Sequence, residues 1–158
     1  MKIKNYEWNG FGFPIFFEEL PAVKSRGELV PDVDWLVLSK PVAEHVCSEQ
    51  HVPLSGNQVK FLRNLLDMSL REFAKFISVK HQSVMRWESR AKSAAHIDPH
   101  LEVVLRIKVL KAMRSRASIV NLAVARVDEI EELRTLSYRT FEPLILSKKF
   151  ISEFLRSA

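Results

Sequence analysis

His81, Gln82, Met85 and Arg86 stand at i, i+1, i+4 and i+5. On a helix that spacing makes one outward stripe. Its side chains suit the edges of base pairs in the DNA major groove. Arg86 can donate two bonds to guanine O6 and N7, and Gln82 can pair with adenine N6 and N7. Met85 can touch a thymine methyl, and His81 is a secondary candidate for base contact. Lys80 and Ser83 sit beside the stripe as phosphate donors, which set register and carry no sequence information. Lys60, Arg71, Arg90 and Lys92, with Arg63 and Lys75, supply further cations for the phosphate backbone. Protonation of His81 would add a phosphate-seeking charge, so affinity is expected to rise at lower pH.

The elements that must hold this stripe are legible as helices. Ser55-x-x-Gln58 and Ser69-x-x-Glu72 are capping boxes, each opening a helix. Val59, Leu62, Leu65 and Leu66 form the apolar face of the first. Leu70, Phe73, Ala74 and Ile77, at i, i+3, i+4 and i+7, form that of the second. A third helix is expected near Lys80 to Ser89, with Val84 and Trp87 inward. Two helices joined by a turn of about four residues, with small Ala74 where they cross, make a helix-turn-helix.

The charge supports that placement. Residues 1–54 hold 5 basic and 8 acidic side chains, a balance of −3. Residues 55–116 hold 13 and 5, a balance of +8, and residues 117–158 hold 6 and 6, which cancel. The net +5 of the 158-residue chain thus arises wholly in the segment that carries the stripe. A localised basic surface is the footprint of a polyanionic partner.

"SLREFAKFISVKHQSVMRWE" resembles the Xre (Cro/CI-type) helix-turn-helix, whose second half often ends in Arg-Trp-Glu. With "RGELVPDVD" and "LSGNQVKFLRNLLDM" before it, residues 26–92 resemble the DNA-binding part of MqsA-type antitoxins and related regulators. The resemblance implies a lambda-repressor-like fold, with Lys80, His81, Gln82, Ser83 and Arg86 at the recognition-helix contacts and Trp87 in the core. It also implies a homodimer that represses its own operon. This chain departs from the pattern at Ser78, where the family often has Gly, and at Lys80, where it often has Ser or Thr. It departs again at Ser89-Arg90, where Gly is common. MqsA-type antitoxins also carry a zinc domain with paired CxxC motifs. Cys47 is the one cysteine here, so that domain has no counterpart.

The flanking segments read differently. Phe11, Phe13, Phe16 and Phe17 among Gly10, Gly12, Pro14 and Pro21 favour a small antiparallel sheet, with a turn at Gly27. That sheet either packs on the helical body or offers a sticky surface to a partner protein. Pro41 is expected to open a helix that ends before Pro53. Asp98-Pro99 caps another, apolar on two faces: Leu101, Val104 and Leu105 on one, Val103, Ile107 and Leu110 on the other. Residues 118–133 read as helix or strand, "YRTFEPLIL" as a strand and "KKFISEFLRSA" as an amphipathic helix.

The expected architecture is therefore mainly α with a small N-terminal β segment. Residues 1–54 form a β-rich segment plus a helix, 55–116 the DNA-binding domain, and 117–158 a dimerisation and packing segment. The expected function is that of a homodimeric repressor on a palindromic operator in double-stranded DNA. Two alternatives stand beside it: an antitoxin that also neutralises a partner toxin, and a protein-interaction module without DNA binding. No cofactor is called for. There is no Gly-rich phosphate loop or nucleophile motif, so an enzyme is not expected. His45, Cys47 and His51 lack the spacing of a four-ligand zinc site, and His96 and His100 read as a cap region. A single cysteine and the lack of an apolar leader or spanning segment suit a cytoplasmic protein. With 47% hydrophobic residues, the chain can bury a core.

Overall fold

The computed structural model describes residues 1–113 and 144–146. Contacts divide the chain into two compact units, Met1–Pro41 with Glu142–Ala158, and Val42–Phe141. The boundary between them falls at Pro41.

In the first unit, β1 (Lys2–Trp8), β2 (Ile15–Ser25) and β3 (Glu28–Pro31) form an antiparallel meander. Lys2 faces Pro21 and Trp8 faces Ile15 across β1 and β2, while Ser25 faces Glu28 across β2 and β3. The β2–β3 turn has Arg26 at φ 50° and Gly27 at φ 91°. Two left-handed residues match the twist of a tight hairpin, and glycine takes the second at no steric cost. A short β4 (Leu144–Leu146), inside the segment expected to be a strand, pairs parallel with Ile15–Phe17. Along β2 and the turn before it, Phe13, Ile15, Phe17, Leu20 and Ala22 are buried. Trp8 stacks on Trp35, with ring centroids 4.0 Å apart and planes 11° from parallel. Phe11 meets Trp8 edge-on at 4.5 Å. The aromatic residues of the N-terminus thus pack largely on one another and into the sheet.

The helix α1 (Trp35–Ser48) begins six residues before Pro41. Asp34 starts it, accepting from the backbone N–H groups of Leu36 and Val37. The expectation that Pro41 opens the helix is therefore corrected. Proline inside a helix forfeits one i→i−4 bond, here to the carbonyl of Val37.

The second unit holds α2 (Gly56–Leu65), α3 (Leu70–Phe76), α4 (His81–Glu88) and α5 (Pro99–Ala112). Both capping boxes form in full, Ser55 with Gln58 and Ser69 with Glu72. Asp98 caps α5 by accepting from His100 and Leu101, with Pro99 in the first turn. Of the expected inward faces Val59, Leu62, Phe73, Ala74, Ile77, Val84 and Trp87 are buried, while Leu65, Leu66 and Leu70 are only half-buried. The reading of α5 as apolar on two faces holds only in part. Val103, Leu105, Val109 and Leu110 are buried, but Val104 is exposed, and the buried set includes Glu102 and Arg106. Residues 118–133, the C-terminal amphipathic helix and most of the expected dimerisation segment lie outside the described residues. Among the described residues no helix is long and apolar enough to cross a membrane.

Candidate nucleic-acid interface

The turn between α3 and α4 begins with a complete helix stop. Ile77 ends α3, and Ser78 takes φ 62°. The Ser78 N–H donates to Lys75 O at 3.2 Å and the Val79 N–H to Ala74 O at 2.9 Å. These two bonds around a left-handed residue are a Schellman stop, which usually places glycine where Ser78 stands. Asp67, at φ 54°, ends α2 in the same way, with its own N–H on Asn64 O and that of Met68 on Arg63 O.

Three contacts then fix α4. Val84 and Trp87 are buried beneath it. Glu88, its last residue, accepts from Arg63 of α2 in a two-pronged pair, Nε to Oε1 at 2.7 Å and Nη2 to Oε2 at 3.1 Å. The third nitrogen, Nη1, donates to Met68 O at 2.9 Å. Arg63 was expected among the phosphate-attracting cations. Its side chain is only 13% exposed, so it serves the fold instead. Finally, α2 and α4 approach closely at Gly56. A Cβ there would lie 2.4 Å from Trp87 O and 2.7 Å from the Ala91 N, both backbone atoms that cannot give way. The loop after α4 closes this corner, with the Gly56 N–H on Ser93 O and the Asn57 N–H on Ala91 O.

With Val84 and Trp87 inward, Gln82 is central on the outward face, flanked one turn on by Met85 and Arg86. All three are exposed, Met85 at 52%. His81 and Ser83 are half-buried at the edges of that face. Lys80 is the N-cap of α4 and provides no side-chain cap, so the first turn is not closed by a side-chain acceptor. Lys60 on α2, Arg71 and Lys75 on α3, and Arg90 and Lys92 after α4 are all exposed. Lys108 of α5 donates to Phe76 O, and its ammonium stands 5.4 Å from the Phe76 ring centroid. It anchors the end of α3.

Arg63, Glu88, Gly56 and Lys108 are the positioning residues that local sequence patterns do not reveal. Arg63 and Glu88 are 25 positions apart, and no periodicity links them.

Among the described residues no three His, Cys, Asp or Glu side chains are placed to hold an ion. Cys47 is fully buried, and burial pushes its thiol up to about 12, so it is held protonated. Burial also lowers the pKa of His45, with a smaller opposing effect from Glu49.

Comparison with models of protein families, with curated proteins and with solved structures finds no match. The resemblance to Xre-type regulators accordingly rests on the motif from Ser69 to Glu88.

Proposed function

We propose that this chain is a DNA-binding regulator that reads duplex sequence with α4 of a helix-turn-helix, and that it acts by binding and not by catalysis. One observation carries the reading. The helix whose inner face is fixed by Trp87, Val84 and the Arg63–Glu88 pair presents Gln82, Met85 and Arg86 outward, in a unit whose exposed cations include Lys60, Arg71, Lys75, Lys80, Arg90 and Lys92. A rigid helix with hydrogen-bonding tips suits base readout, and mobile cations suit phosphates. Lys80 and the uncapped first turn of α4 favour a phosphate at that end. Two copies on a palindrome would place two such helices in successive major grooves, about 34 Å apart, and occupancy of a promoter would repress it.

The test is fluorescence anisotropy of the full chain with duplex from upstream of its own gene, over a salt series. The wild type should prefer that duplex to random DNA. Its log affinity should fall with log salt by about 0.9 per phosphate neutralised. Arg86→Ala should lose about 1–3 kcal/mol, mainly on the specific duplex. Equal and weak binding to both duplexes, unaffected by salt, would overturn the proposal.

A further inference from the structure

Met85 is the one large apolar side chain on the outward face of α4, between Gln82 and Arg86, and half of it meets water. The polar neighbours need no apolar group to serve phosphates or base heteroatoms. In the major groove the only alkyl group a base pair presents is a C5 methyl, carried by thymine and by 5-methylcytosine. Methionine suits such a target, because its unbranched thioether adapts its shape to a small apolar group. The surrounding charge complements DNA, which brings the occupant of this apolar spot from the same molecule that the cations bind.

We propose that Met85 makes this surface sensitive to a pyrimidine 5-methyl group, so that the protein distinguishes thymine from uracil and 5-methylcytosine from cytosine at one position of its site. The inference rests on the DNA-binding reading above. It extends that reading from hydrogen-bond recognition to recognition of base methylation. Removing the methyl takes away one buried apolar contact, which is worth about a fourfold change in affinity. Gln82 and Arg86 contacts are untouched by the change, so the rest of the interface reports independently.

The experiment starts from a duplex selected by the full-length protein from a random pool. Each thymine of the selected site is replaced in turn by deoxyuridine, which removes only the methyl. Affinities are measured for wild type and for Met85→Ala, an exposed substitution that leaves the core intact. At one thymine the wild type should lose about fourfold on deoxyuridine, and Met85→Ala should bind the two duplexes equally. At that position a 5-methylcytosine pair should bind the wild type better than a cytosine pair, and Met85→Ala should lose this preference too. If a duplex is selected and bound but no deoxyuridine change matters, or the change matters equally in Met85→Ala, Met85 does not read the methyl. If no duplex is enriched, the DNA-binding reading fails and this inference goes with it.

Discussion

At the scale of single residues, Ser78 shows a local conflict. The Schellman stop at the end of α3 requires a left-handed residue, and Ser78 adopts φ 62°. A side chain there costs about 1–2 kcal/mol. Glycine would remove that strain, although its freer unfolded chain gives back about 0.4–1 kcal/mol. Ser78→Gly should therefore stabilise the protein by about 0.5–1 kcal/mol. A urea unfolding midpoint raised at unchanged slope would show it. A lowered midpoint would mean that the serine hydroxyl does something the backbone geometry does not require. Trp87 and Val84, the inward residues of α4, were legible from helical spacing and are buried. Arg63 was misread as a surface cation because a sequence shows a charge but not its partner, and Glu88 lies 25 positions away.

At the scale of elements, caps are the most readable feature, since their chemistry spans at most four residues. Ser55 with Gln58, Ser69 with Glu72 and Asp98 with Pro99 all start helices where their spacing places them. The start of α1 was misplaced at Pro41 because proline at a first turn and proline in an interior look alike in sequence. Asp34 was the true signal. The short α3 depends on its box. Hydrogen bonding to the backbone and hydroxyl of Ser69 lowers the pKa of Glu72 from the ordinary 4.5. An acid with a depressed folded-state pKa adds stability above its unfolded value and loses it as pH falls through the folded one. Wild type should therefore exceed Glu72→Gln in urea midpoint at neutral pH, and the gap should close as pH falls through the carboxylate range. A gap that persists in acid would show that the carboxylate charge is not what closes the box.

At the scale of the molecule, the second unit is tied together by a group whose partners, apart from Glu102 one helical turn before it, no pattern in the sequence announces. Arg106 is fully buried. It donates to Val46 O at 2.9 Å, Gln50 O at 2.8 Å and Val52 O at 2.9 Å. It also pairs with Glu102 at 2.7 Å, and Glu102 accepts from the Leu54 N–H at 3.0 Å. One guanidinium thus holds the end of α1 and the approach to the Ser55 cap against α5, across more than fifty positions of chain. Beside it Gln50 and Gln58 exchange amide bonds of 2.9 and 2.8 Å, which joins the same loop to the capping box. Backbone carbonyls have no residue signature, so the partners of Arg106 were invisible and α5 read as simply apolar. A buried pair of this kind is costly to break, because the survivor is left charged and dry. Arg106→Met should cost about 3–5 kcal/mol in urea unfolding. It strands Glu102 and takes the guanidinium donor from the Val46 and Gln50 carbonyls, while the Val52 carbonyl keeps the Gln50 amide at 3.1 Å. Adding Glu102→Leu removes the stranded charge, so the double variant should fall short of the sum of the singles by more than about 1 kcal/mol. Strict additivity would mean that Arg106 acts through the carbonyls alone, with Glu102 a bystander. If the pair is the tie, Arg106→Met should lose the proposed DNA binding only as the whole unit unfolds. Affinity and unfolding should then share one midpoint, in contrast to Arg86→Ala, which should lose binding while fully folded.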